Sequence, residues 1–191
     1  MKPTPADKRE VNLHSKIKLP KDRYTLRIKD EEFKMSAAGN PMIILTPEFV
    51  SPDSFVAADG STVNIAGVEL NKEYITLRTK DKETGEVDLV KSQKMFDRYA
   101  DLRAKLGVPI DDEGVDIENP PKVFKGLVIS AICDSEESAQ RKEPTVEQRS
   151  KGQLGDILKD DDGNEIKFFR SKVVTILGLG SANVAGATKP F

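Results

Sequence analysis

The amino-acid sequence predicts a mainly β protein: a five-stranded barrel with extra hairpins and one amphipathic helix. Three observations carry this expectation. Several segments alternate apolar and polar side chains with a period of two, the pattern of a sheet with one buried face. Turn-forming pairs such as Asp59-Gly60, Thr84-Gly85 and Asp162-Gly163 punctuate those segments. Between Ser92 and Gly107 the apolar period changes to three and four residues, as on a helix.

The elements follow in order. Residues 1–20 are polar and rich in proline and read as a flexible arm. In the first strand, residues 24–34, Tyr24, Leu26 and Ile28 alternate with Thr25, Arg27 and Lys29. Ser36 to Pro41 forms a turn, because Gly39 and Asn40 tolerate positive φ and Pro41 cannot join a central ladder. A second, more apolar strand spans residues 42–50. Two shorter hairpins follow, at residues 55–66 and 74–90. Met95, Tyr99, Leu102 and Leu106 then mark the inward stripe of a helix that should plug the barrel, with Ser92 as its cap and Gly107 as its stop. A strand at residues 124–133 precedes a polar stretch, residues 134–155, which reads as a long mobile loop. The last strand covers residues 165–177, and residues 178–191 form a loose tail of small residues. The expected organisation is thus one domain over residues 21–177, flanked by an arm and a tail. The helix falls between the third and fourth strands, which fits the OB-fold, a five-stranded barrel. A β-sandwich or an SH3-like barrel accounts for the strands but less well for the helix.

Composition narrows the function classes. Thirty basic and 32 acidic residues leave a net charge of -2, so any polyanion must be met by a local patch rather than by a general basic field. One cysteine, Cys133, excludes an intrachain disulfide and fits a reducing compartment. No apolar run reaches the length of a membrane helix and the first residues do not form a signal peptide, so a cytoplasmic protein with no membrane partner is expected. The single histidine, His14, lies in the arm, and one His with one Cys cannot build a zinc site. Gly178 and Gly180 open a dinucleotide-like loop, but Asn183 stands at its third glycine position. Asp160 to Gly163 lacks the calcium-loop spacing. No nucleophile–base pair is visible, and the expectation is a binding protein, not an enzyme, with no cofactor and no metal.

The binding signal is spread over strand faces. If Ile75 and Leu77 point inward, Tyr74, Thr76, Arg78 and Lys80 share the outward row. Arg27 and Lys29 face away from Leu26 and Ile28, and Lys167 and Phe169 alternate with Phe168 and Arg170. Cations beside aromatic rings suit single-stranded nucleic acid, whose phosphates they neutralise and whose bases they stack. The candidate nucleic-acid-binding residues are therefore Arg27, Lys29, Tyr74, Arg78, Lys80, Lys167 and Phe169. Lys91, Lys94, Lys122 and Lys125, near strand ends, are a reserve.

Three stretches carry a family resemblance: Leu19-Pro20 with residues 24–28 and the run KMSAAGNPMIIL from Lys34 to Leu45; Leu106-Gly107-Val108-Pro109 with residues 116–120 and Phe124-Lys125-Gly126; and Lys142 to Gly152 with the Asp162-Gly163 turn and the last strand. On these the chain resembles bacteriophage-encoded single-stranded DNA-binding proteins of the OB-fold type. The resemblance implies a sequence-tolerant coat for single strands in phage DNA replication or recombination, acting in the host cytoplasm. Its partners would be single-stranded DNA, phage replication or recombination proteins and, as a further option, a second copy of the chain. Many such proteins end in an acidic tail; here Phe191 is last but Ala187 to Pro190 carry no acid, so tail-mediated recruitment is not expected. The competing readings are a phage structural or assembly protein with a β-rich protein-interaction domain, an RNA-binding module of the same fold, and, last, a small enzyme.

Overall fold

A computed structural model describes residues 18–180, apart from Lys82 and Asp112. His14, most of the expected arm and all but the first residues of the expected tail lie outside the described residues. Leu19, at the foot of the expected arm, is buried, and its N–H donates to the Ser135 hydroxyl at 2.7 Å.

The strands are β1 (Asp22–Met35), β2 (Pro41–Ser51), β3 (Ser54–Val56), β4 (Thr62–Asn64), β5 (Glu73–Thr76), β6 (Val128–Ala139) and β7 (Lys167–Leu179). Helix α1 (Leu89–Lys105) lies between β5 and β6, and the short α2 (Val146–Ser150) between β6 and β7. Five strands form one antiparallel sheet in the order β5-β2-β1-β6-β7, and β3 pairs with β4 as a separate ribbon.

The expected barrel is not closed. No ladder joins β5 to β7. Their edges touch through one backbone hydrogen bond, Asn71 N–H to Ser171 O at 3.2 Å, and through the Glu73 carboxylate, which accepts from Val173 N–H at 3.3 Å. β5 is too short to complete the circle: after Thr76 the chain leaves the sheet, and Leu77 N–H donates to Pro41 O. α1 borders the gap that remains.

β1 is the centre of the sheet and sets both faces. Tyr24, Leu26 and Ile28 are buried in the core, while Arg23, Arg27 and Lys29 are exposed. The register with β2 then shifts, because Ile28 pairs with Pro47 and Asp30 with Thr46, leaving Lys29 unopposed. An extra residue in one strand reverses the alternation beyond it. Glu31 therefore points inward, where it is 2% exposed, and its Oε2 accepts from the N–H groups of Phe124 (2.7 Å) and Lys125 (3.1 Å). A buried carboxylate thus pins the loop before β6 to the central strand. On β2, Ile43, Leu45 and Phe49 join the core, and Phe49 meets Tyr24 edge to face at 5.2 Å.

The helix differs from expectation in its start and its buried stripe. Asp88, not Ser92, is the cap, accepting from Lys91 N–H at 3.0 Å. The Ser92 hydroxyl instead ties α1 to the chain after β5, accepting from Thr79 N–H and donating to Thr79 O. Tyr99 and Leu106 are buried as the period implied, with Phe96 packed against the core. Leu102, half-buried, also packs against the core, whereas Met95 is half-buried and outside it; both line the β5–β7 gap. Arg103 is buried because its guanidinium donates to Val108 O (2.7 Å) and Pro109 O (3.2 Å), taking up carbonyls just beyond the helix.

The polar stretch 134–155 is not loop throughout. Asp134 to Ala139 belong to β6 and pair with Lys167 to Lys172. These residues have little apolar content because their partners are complementary: Glu136 meets Lys172 and Glu137 meets Lys167, each at 2.6 Å. α2 adds a second helix, started by a capping box in which Thr145 and Gln148 satisfy one another's N–H groups.

Candidate nucleic-acid interface

The outer face of the sheet, opposite the core, holds three of the seven candidates, Arg27, Lys29 and Tyr74. Arg23, Thr25, Arg27 and Lys29 follow one another along β1 on this side, since Tyr24, Leu26 and Ile28 occupy the other. At about 3.3 Å per residue the row spans roughly 20 Å. Arg27 is paired with Glu48 at 3.4 Å, and Lys29 with Glu69 at 2.7 Å. The hydrogen bond to Glu69 holds the Lys29 ammonium above its ordinary pKa. Both cations are about half exposed, and surface pairs of this kind contribute about 1 kcal/mol or less. A phosphate can therefore compete for them.

Tyr74 stands on the neighbouring edge. It is 61% exposed and lies directly across from Ile44 on β2, which in turn faces Glu32 on β1. Glu32 is clamped by Lys34 and by Lys72, and these two cations hold its carboxyl below the ordinary range. An aromatic ring on an aliphatic base, flanked by ammonium groups, has the chemistry of a stacking platform.

The remaining candidates sit elsewhere. Arg78 and Lys80 lie past the end of β5, so the expected row from Tyr74 to Lys80 is not one continuous strand. Arg78 is tied to Glu118, and its Nε is buried with no partner. Lys80 bridges to Val87, and its backbone N–H donates to Asn40 Oδ1 at 3.0 Å. Lys167 and Phe169 are on β7, separated from β1 by the whole of β6; Lys167 is held by Glu137, and both Phe168 and Phe169 are half-buried. The Arg170 guanidinium lies over the Phe168 ring at 5.0 Å.

Sequence reasoning missed Arg23, Lys34 and Lys72. Arg23 was legible: it is two residues before Thr25 and four before Arg27, in phase with the exposed row. Lys34 and Lys72 were not, because the bulge after Ile28 and the bend before β5 decide which way they face.

A cleft of about 610 Å³ lies between β5, α1 and β7. It is lined by Glu73, Tyr74, Arg98, Asp101, Lys105 and Val174 among others. Lys105 Nζ donates to Ile176 O at 3.2 Å, covering part of the open edge of β7. Cys133 is fully buried on β6, and burial, then the nearby Glu73, push its thiol pKa up to about 12, so it is an inert apolar group. Among the described residues no group of three or more His, Cys, Asp or Glu could hold a metal ion, and no helix is long and apolar enough to cross a membrane.

Burial raises the pKa of Glu73 above its ordinary 4.5, outweighing the Val173 N–H and Lys172. A raised carboxyl pKa means that the neutral form fits the fold better. The associated stability is present below pH 4.5 and is lost as pH rises through the folded value. Glu73→Gln keeps an oxygen for Val173 N–H and removes the charge. Thermal melts should show the variant more stable than the wild type at pH 7 and equal to it near pH 4. Equal stability at both pH values would contradict this.

Set against protein-family models, curated proteins and solved structures, the chain matches none of them.

Proposed function

We propose that the protein binds single-stranded DNA, with little sequence preference, across the outer face of β1, β2 and β5. The observation that carries the reading is the basic row Arg23, Arg27 and Lys29 on the central strand beside the exposed Tyr74. Cations on a strand of this length meet successive phosphates, and an exposed ring needs bases that are not already stacked in a duplex. The strand order supports an OB-fold-like assignment: a three-strand meander, a fourth strand on the other side of β1, a fifth beyond it, and α1 between the third and fourth. In that reading the gap between β5 and β7 is an incompletely closed barrel seam. A role in phage DNA replication or recombination, in the host cytoplasm, belongs to the same proposal and rests on the family resemblance.

The test is a fluorescence-anisotropy titration with labelled oligo-dT and with a duplex of the same length, at two salt concentrations. Binding should favour the single strand clearly and weaken as salt rises. Equal affinity for the two, or no binding at low salt, would overturn the proposal.

One observation favours a second reading, a protein-interaction or assembly module. Val174, Leu177 and Leu179 on β7 are each 41–48% exposed. Exposed aliphatics suit a protein surface better than a nucleic acid. A protein of this kind would bind no oligonucleotide in the same titration.

A further inference from the structure

The chemistry of the sheet's outer face is not uniform along β1. At its N-terminal end, three hydroxyl residues lie in one line across three strands: Ser51 on β2 pairs with Thr25 on β1, and Thr25 pairs with Ser130 on β6. Arg23, one step along the same face, lays its guanidinium against this line, with Nε donating to Ser130 Oγ at 2.7 Å. That bond uses one of the five donors of the guanidinium. Its two terminal amino groups, and the hydroxyls of Thr25 and Ser51, make no other hydrogen bond among the described residues. Together with Pro52 and Leu179 these residues line a notch of about 250 Å³. Arg23 differs in this from Arg27 and Lys29, which are each matched to a carboxylate. Asp22, next to Arg23 in sequence, accepts from the backbone N–H of Arg23 at 2.6 Å.

A guanidinium fixed at one nitrogen presents its remaining N–H groups as a planar fork, the geometry that matches two oxygens of a phosphate. The lining hydroxyls of Thr25 and Ser51 can donate to a third oxygen. We infer that Arg23, held by Ser130 and flanked by Thr25 and Ser51, forms a phosphate-binding notch that anchors one end of a bound polynucleotide. The inference rests on the proposed single-strand binding for its ligand. The notch chemistry is common to a phosphodiester and to free phosphate.

Two measurements on the full chain separate these sources and keep the notch distinguishable from the wider proposal. In the first, oligo-dT is titrated against wild type, Arg23→Gln and Arg23→Lys at several salt concentrations, with Lys159→Gln, on the exposed connection between β6 and β7, as a control and thermal melts to confirm folding. Arg23→Gln should weaken binding several-fold and reduce the salt slope by about 0.7, the loss of one phosphate contact on a single strand. Arg23→Lys should restore the slope but not the full affinity, because it keeps the charge and loses the fork. In the second, inorganic phosphate is added while the side-chain Nε–H resonance of Arg23 is followed by 15N NMR; a saturable shift is expected. If wild type binds oligo-dT, Arg23→Gln binds it equally with the same slope, and phosphate leaves the resonance unmoved, the notch is overturned and the wider proposal stands. A phosphate shift without any oligonucleotide binding upholds the notch as an anion site and overturns its polynucleotide. A phosphate shift with oligo-dT binding indifferent to Arg23 overturns the anchoring role.

Discussion

Glu31→Ala is expected to be among the most destabilising single changes in the protein. Its carboxylate is 2% exposed and is the acceptor for two main-chain donors, Phe124 N–H and Lys125 N–H. Alanine would leave both without this acceptor, at roughly 1–3 kcal/mol for the buried Phe124 N–H and less for the part-buried Lys125 N–H, and would open a cavity beside them. For a chain of this size each kcal/mol corresponds to about 2–4 °C in melting temperature. The loop that Glu31 holds leads to Phe124, itself fully buried and in edge contact with Tyr99 of α1. Loss of the acceptor should therefore loosen the loop and the helix together. Glu31→Gln keeps a carbonyl oxygen in place and should cost clearly less. Thermal melts of the two variants decide the matter: similar melting temperatures for Glu31→Ala and wild type would mean that the carboxylate does not hold this loop.

The largest expected effect on binding comes from the triple variant Arg27→Gln, Lys29→Gln, Tyr74→Ala. Removing a stacked ring costs about 1–3 kcal/mol per base, and every 1.4 kcal/mol is a factor of ten in affinity. Removing two phosphate contacts should flatten the salt slope by about 1.4. Stability should change little, since Tyr74 is 61% exposed and the two ion pairs are half-exposed surface contacts. The glutamines can still hydrogen-bond to Glu48 and Glu69. The single Tyr74→Ala variant should lose affinity with the salt slope unchanged. A triple variant that stays folded and binds oligo-dT like the wild type would remove the outer face from the account.

Much of the fold was legible because its signals are local. Alternation in Tyr24, Leu26 and Ile28, the Asp59-Gly60 turn and the three-four period around Tyr99 each depend on neighbouring residues, and each corresponds to a structural element. The failures share a different cause. Whether Asp30 or Glu31 is buried depends on one unopposed residue, Lys29, and a register shift is a property of two strands rather than one. Asp134 to Ala139 reads as polar loop until Lys167 to Lys172, some thirty residues later, supplies its partner strand. The capping box at Thr145 and Gln148 was visible as spacing but was masked by the charged stretch around it. Barrel closure hinged on the length of β5, which ends at Thr76 although the alternation continues to Lys80.

The site was legible in part for the same reason. The exposed phase of β1 follows from its alternation, so Arg27 and Lys29 could be read from sequence. Their acidic partners could not: Glu48 and Glu69 lie 21 and 40 residues away and meet them only through pairing of β1 with β2 and the crossing of the chain before β5. The isolation of Lys167 and Phe169 from that face is likewise a consequence of strand order, with β6 standing between β7 and β1.

The most direct test of the outer-face assignment is a backbone and side-chain NMR shift map on titration with oligo-dT. The perturbed resonances should run along β1 from Arg23 to Lys29 and across β2 to Tyr74, with the cleft beside Arg98 and Asp101 of α1 left quiet. Perturbations gathered in that cleft, or at the exposed Val174, Leu177 and Leu179 with β1 unmoved, would contradict that assignment.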